Sequence, residues 1–238
     1  MAWGLYKDGI LYDMVDGFFT SKVTVKKSPT GDPLIPSRPH TIVLDLDGNA
    51  PIPPALLAKA KPAGILLSVP YWKQTDNYRD ANRTCFSSSM AMIVEKLLPE
   101  ELPDDDTYVE TVFSIGDTTN PNVQIQALAY HGVYGSYYQN MDFDTLDQEL
   151  FAGFPVGVAI LHRGPLNAPT GGHWIVCTGV SADRSKYRFN DPYGTLMDGY
   201  QGNVENGKDV WYSREILTAR WTADGPGSGW GMICRKKA

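Results

Sequence analysis

Cysteine is scarce in this chain: 238 residues carry three, Cys85, Cys177 and Cys234. They are too few and too scattered for a disulfide framework, and no Cys-x-x-Cys pair suggests zinc. The odd count leaves at least one free thiol unless chains pair, and a bond between Cys177 and Cys234 stays open. Long apolar runs are also missing, and none approaches the roughly 18–20 residues that span a bilayer. The start of the chain, Met1–Gly17, carries acids and lacks a basic residue cluster followed by an apolar stretch. No signal peptide is therefore expected, and synthesis in a cytoplasm is. Basic charge is in deficit, 21 Lys and Arg against 27 Asp and Glu for a net −6, which argues against nucleic acid as an electrostatic partner. Nothing in these residues calls for a cofactor or a metal.

What is present is a composition suited to a globular protein with a sizeable core, with 42% hydrophobic and 20% charged residues. Two textures divide it. Residues 1–65 are rich in turn formers, with strand-like pieces at Lys22–Lys26 and Thr41–Leu46 and a helical turn at Leu56–Lys61. The proline-rich stretches Ser28–Pro39 and Pro51–Pro54 exclude regular helix, so this part reads as a small β-rich module or arm. Residues 66–238 form the main domain. After a short strand at 65–70, the spacing of Phe86, Met90, Ile93, Val94 and Leu97 predicts a helix over 84–98. Helices follow over 105–115, 122–131 and 143–152, the second of these closed by Gly132. The period then changes to that of strands, over 156–161, 173–180, 186–190, 209–212 and 231–235. Helices first and an antiparallel sheet afterwards predict an α+β fold.

Cys85 opens the first of these helices. A thiol attacks as its thiolate, and the unpaired N–H groups and positive dipole end of a helix start favour that form. The bland alternative is a half-buried core cysteine, since cysteine is among the most buried residue types. His173 begins a strand after a loop rich in glycine and proline, 164–172, where an imidazole can meet a cleft on a rigid backbone. His162 is the reserve base, whereas His40 and His131 read as solvated or structural. Asp191 lies 18 positions beyond His173, a spacing that one hairpin with a turn at 182–185 would close. A carboxylate there could accept the imidazole N–H and fix its tautomer. Asn190 could do the same as an amide, and only one of these two neighbours can face the histidine. For the oxyanion, the Cys85 backbone N–H is one donor, and Gln74, Asn77 and Asn82 compete to supply the second.

Val69-Pro70-Tyr71-Trp72-Lys73-Gln74, Thr84–Met92, Gly172–Val176 and Asn190-Asp191-Pro192 together resemble the papain-like cysteine peptidases of the bacteriocin-leader-processing type, over about 66–200. The resemblance implies a papain-like fold with Cys85, His173 and Asp191 as a triad and Gln74 completing the oxyanion hole. It implies cleavage of a peptide or isopeptide bond. A stand-alone version is similar to a phage or bacterial cell-wall lysin, with peptidoglycan stem peptides as substrate. Two features depart from the family pattern. The segment Asp76–Arg83 lengthens the interval between glutamine and cysteine, and Phe86 follows the cysteine where glycine is common. Tyr71, Trp72, Trp174 and Tyr193 are expected along the cleft. Three rival readings remain: acyl transfer to an amine by the same triad, a non-catalytic wall-binding protein with a relic triad, and a glycosidase using Glu95 or the acids of Asp104–Asp106.

Overall fold

The structure, a computed structural model, describes residues 2–7, 10–12, 41–45, 64–201 and 204–237. The chain separates into two compact units, Met1–Gly64 and Ile65–Ala238. In the first, β1 (Ala2–Lys7) pairs antiparallel with β2 (Ile10–Tyr12) and parallel with β3 (Thr41–Asp45). The β-branched run at 41–46 thus supplies β3. The strand expected at Lys22–Lys26, the helical turn at Leu56–Lys61 and both proline-rich stretches lie outside the described residues.

The second unit begins with the two-residue strand β4 (Ile65–Leu66) and passes into helix α1 (Cys85–Leu97). The strand expected over 65–70 is shorter because Leu67 gives its N–H to Thr178 and the chain then leaves the sheet edge toward Pro70. Helices α2 (Asp105–Ile115), α3 (Pro121–Tyr130) and α4 (Phe143–Phe151) follow, with β5 (Val133–Met141) between the last two. Their starts are set by local chemistry. Asp104, Asn120 and Asp142 each accept a hydrogen bond from an early backbone N–H of the helix they precede, and Pro121 needs no such partner. Gly132 takes the left-handed conformation (φ 77°) that ends α3. α1 is buried along nearly its whole length up to Val94, including Ser87, Ser88 and Ser89. The three small serines let it sit in close contact with other elements on several sides instead of showing one solvated face.

The strands β6 (Val156–Arg163), β7 (Thr170–Val180), β8 (Lys186–Asn190), β9 (Val210–Ser213) and β10 (Gly229–Lys236) complete the unit with the short helix α5 (Arg214–Arg220). All pairs in this sheet are antiparallel, in the order β5-β10-β6-β7-β8-β9, with β4 added to β7. Two of these elements were not expected. β5 alternates poorly because its edge position leaves most of its side chains partly exposed. α5 is seven residues long and buries only Leu217 and Arg220, too few to display a helical period. β7 starts at Thr170, so His173 lies within the strand, not at its first position. Helices on an antiparallel sheet make this an α+β fold, and its core joins Phe86, Met90 and Ile93 of α1 to Val158, Ile175, Val176 and Phe189 of the sheet. Among the described residues, no helix is long and apolar enough to cross a membrane.

Candidate active site

The hairpin β7–β8 brings the histidine and carboxylate together. Val176 pairs with Asn190, and carrying that register one residue further sets Asp191 opposite Ile175. His173 is two residues from Ile175 and so shares its face, within diagonal reach of Asp191, whereas Asn190 faces the other way. The result is a 2.7 Å hydrogen bond from His173 Nε2 to Asp191 Oδ1, with both side chains buried. Nε2–H therefore donates to the carboxylate, which leaves Nδ1 for the Cys85 thiol, and Cys85 and His173 line one cavity.

Cys85 is the first residue of α1, and Thr84 before it forms no side-chain cap. The helix-start N–H groups are thus free to act on the sulfur, which is half-buried. Two contacts hold α1 on the sheet beside it. Ser89 Oγ donates to the Trp174 carbonyl at 3.0 Å, and the Phe86 ring stacks on Trp174 with centroids 3.6 Å apart. The second contact accounts for a large side chain at position 86: it clamps the nucleophile's helix to the strand carrying the base. Burial disfavours the thiolate, but His173 and the backbone N–H groups of Trp174 and Phe86 outweigh it and lower the Cys85 pKa. Burial likewise disfavours the imidazolium, yet Asp191 and Cys85 raise the His173 pKa to about 10. Both shifts favour a thiolate–imidazolium pair. Cys177 and Cys234 are free thiols too, buried, and pushed up by that burial, Cys234 to about 12.

Asp191 is enclosed by donors. Its Oδ1 accepts from His173 and from the Tyr193 N–H, and its Oδ2 accepts from the hydroxyls of Tyr200 and Tyr212, each at 3.0 Å. Tyr71 donates to the Asp191 carbonyl and to that of Val204, and the Asp191 N–H donates to the Gly207 carbonyl. Gly207 comes so close that a Cβ there would strike the Asp191 carbonyl and the Tyr71 hydroxyl. Asn190 is occupied elsewhere: its Nδ2 donates to the carbonyls of Val69 and Pro70, and its Oδ1 accepts from the Asp209 N–H. It fastens the segment before α1 to the hairpin.

Of the three amides, Gln74 has the geometry of a pocket-facing donor. The lengthened segment folds into 3-10 turns at Gln74–Asp76 and Ala81–Arg83, and Gln74 Nε2 donates to the Ala81 carbonyl at 2.7 Å. Its backbone N–H donates to Pro192, next to Asp191. One amide hydrogen of Gln74 and its buried Oε1 are left without a partner. Asn77 is spent on Thr84 and Ser88, and Asn82 is exposed at the rim. A cavity of about 410 Å³ is lined by Gln74, Asn82, Cys85, His162, Arg163, Gly172, His173 and Tyr193. Of the four aromatic residues expected along the cleft, only Tyr193 lines it. Tyr71 braces Asp191, Trp174 stacks on Phe86, and Trp72 packs against the core. Three acids of the glycosidase reading are committed to structure: Asp104 caps α2, Asp106 accepts from Tyr78 N–H, and Glu95 accepts from Glu100 and Leu102 N–H. Asp105 is buried with its Oδ2 unpartnered, and burial pushes its pKa up to about 6, but it does not line the Cys85 cavity.

The model of the C39-like peptidase family matches residues 66–225, about two thirds of the chain. The chain belongs to this family. It is accordingly a cysteine peptidase, a hydrolase of peptide bonds. Among solved structures, this C39-like peptidase is similar to one described as a C39-like peptidase from Bacillus anthracis, at 15% identity and a TM-score of 0.51, over 74% of this chain and 99% of that one. That likeness concerns the fold. Weaker likenesses join it to a double-glycine-motif protease of an AMS/PCAT transporter (16% identity, TM-score 0.46, 72% and 94% of the two chains). A cysteine protease of Carica candamarcensis compares at 11% identity and a TM-score of 0.48, over 74% and 100%. No curated protein matches the chain.

Several residues around the site of this C39-like peptidase escaped the sequence. Tyr200 and Tyr212 reach the Asp191 carboxylate from beyond β8, and Arg163 lines the cavity from the end of β6. Nothing local marks them, because their contacts come from strand order and register. His162, the reserve base, sits 5.2 Å from His173 between ring centroids. Burial, followed by the charges of His173 and Arg163, pushes its pKa down to about 4, so it stays neutral.

Proposed function

We propose that this peptidase works through Cys85, His173 and Asp191, with Gln74 and the Cys85 backbone N–H stabilising the oxyanion. The observation that carries the reading is the buried, donor-saturated Asp191 bonded to His173, which shares one cavity with the thiol at the start of α1. In this mechanism the Cys85 thiolate attacks the carbonyl carbon of a peptide or isopeptide bond. The developing negative oxygen is met by the Cys85 N–H and the free amide hydrogen of Gln74. His173, protonated at Nδ1, gives that proton to the leaving amine as the carbon–nitrogen bond breaks. Water, deprotonated by the same nitrogen, then releases the acid from the thioester. Asp191 holds the tautomer throughout and stabilises the imidazolium.

A pH profile of iodoacetamide labelling tests the thiolate–imidazolium pair. Because the Cys85 pKa is lowered and that of His173 is raised, labelling of Cys85 should stay fast as the pH falls from 8 to 6. Cys177 and Cys234 should remain unlabelled in the folded protein. A Cys85 profile that follows an ordinary thiol, with a midpoint near ~8.5, would count against the mechanism and favour a relic site.

For the substrate we propose the stem peptides of peptidoglycan, as a lysin-type endopeptidase or amidase would use. Support comes from the family's bond type and from a polar cavity. Incubation with purified peptidoglycan should release fragments whose masses fit hydrolysis of an amide bond, each with a new carboxyl or amine end. Intact peptidoglycan after incubation with a protein whose Cys85 labels rapidly would reject this substrate while leaving the peptidase chemistry standing.

A further inference from the structure

A second cavity, of about 450 Å³, adjoins the first and shares His162, Arg163 and Tyr193 with it, continuing past Tyr200 and Leu196 to Arg220. In a chain of net charge −6, neither cavity is lined by an aspartate or glutamate, yet two arginines border them. Arg220 is buried and donates to the carbonyls of Leu161, Arg163 and Gly164, which fixes the end of β6 and the turn after it. Arg163 is exposed and donates only its Nε–H, to His162 Nε2 at 3.1 Å. Among the described residues, neither arginine has an acidic partner. The terminal nitrogens of Arg163 therefore remain available as a fork, the geometry that grips a carboxylate through two parallel hydrogen bonds.

We infer that the joined cavity is a substrate subsite for a carboxylate on the leaving-group side of the scissile bond, with Arg163 as the residue that reads it. The inference rests on the proposed peptidase mechanism, which also gives its direction. The leaving amine must meet His173 to take its proton, so the substrate beyond the cut runs over the histidine side of Cys85. His162, Tyr193 and Tyr200 stand there, with ring centroids 5.2, 6.2 and 5.5 Å from that of His173. His162, accepting at Nε2 and neutral, acts as the strut that orients Arg163, and the positive field comes from the two guanidinium groups. Asp191, the carboxylate that Tyr200 bonds, lines neither cavity and has both oxygens taken up by donors. A substrate carboxylate would thus meet uncompensated positive charge.

The reagent pair iodoacetate and iodoacetamide tests this on the intact protein. Both alkylate Cys85, and only one carries a carboxylate into the shared cavity. The ratio of the iodoacetate to the iodoacetamide rate constant should fall about 5-fold in Arg163→Gln, the size expected for removing one unit charge in a partly solvated pocket. Arg163→Lys should restore much of the ratio, and added salt should lower it in the wild-type protein. A ratio unchanged in Arg163→Gln, with Cys85 still rapidly labelled by iodoacetamide, would overturn the subsite and leave the peptidase mechanism intact. Slow labelling of the wild-type Cys85 by both reagents would overturn the mechanism and the subsite with it.

Discussion

Cys85→Ala is expected to lower hydrolysis by at least ~10⁴-fold while leaving a folded protein, since loss of the nucleophile leaves only binding and oxyanion stabilisation. The two halves of that expectation have separate physical grounds. Activity falls because no other nucleophile is at hand: Cys177 and Cys234 are buried away from the cavity, and their thiols are held protonated by that burial. Stability is kept because the sulfur closes no structural network. The helix start is held by Ser89 on Trp174, Phe86 stacked on Trp174, and Asn77 on Thr84 and Ser88, all independent of the thiol. The imidazolium that loses its thiolate still has Asp191 as a partner. A change within about 1 kcal/mol in a denaturant titration is the expected cost. Turnover of substrate at the wild-type rate by the alanine variant would remove Cys85 from the mechanism.

Much of this arrangement could be read in the sequence because it depends on short-range signals. The apolar spacing of Phe86, Met90, Ile93 and Val94 marked α1, and Gly132 marked the end of α3 by the left-handed conformation it takes. The hairpin from His173 to Asp191 followed from strand length and the polar turn between, and period-two geometry required a choice between Asn190 and Asp191. What escaped depends on contacts across the sheet. Whether a tyrosine braces Asp191, as Tyr200 and Tyr212 do at its carboxylate and Tyr71 at its backbone carbonyl, is decided by where distant segments return, and the tyrosine carries no local sign of it. Of the four aromatic residues assigned to the cleft, Tyr71, Trp72 and Trp174 failed for the same reason. Trp174 and Phe86 face one another only because α1 lies on β7, a packing relation invisible in either segment alone. The lengthened interval before Cys85 looked unfavourable for Gln74, yet its second 3-10 turn supplies the Ala81 carbonyl that orients the amide.

Asp191→Ala is expected to lower the rate and, unlike Cys85→Ala, to damage stability heavily as well. It removes the common acceptor of four buried or part-buried donors, those of His173, Tyr193, Tyr200 and Tyr212. Stranding such groups around a deleted buried charge costs about 3–5 kcal/mol, and losing the imidazole's orientation costs ~10³–10⁴ in kcat/KM. Asp191→Asn separates the two effects. The tyrosine hydroxyls can rotate to accept from the new Nδ2–H, and the remaining oxygen can still face His173 Nε2–H and Tyr193 N–H. The tautomer then survives while the negative charge is lost, so the rate should fall by about 10², the worth of one charge-assisted hydrogen bond. With that charge gone the His173 pKa drops, the thiolate loses support, and the labelling profile of Cys85 should move up toward ordinary thiol pH. Asn190→Ala provides the contrast. It releases Val69, Pro70 and Asp209 and should destabilise the hairpin, but the folded protein should keep the wild-type labelling profile. A profile shifted by Asn190→Ala and unmoved by Asp191→Asn would transfer the third role from the carboxylate to the amide.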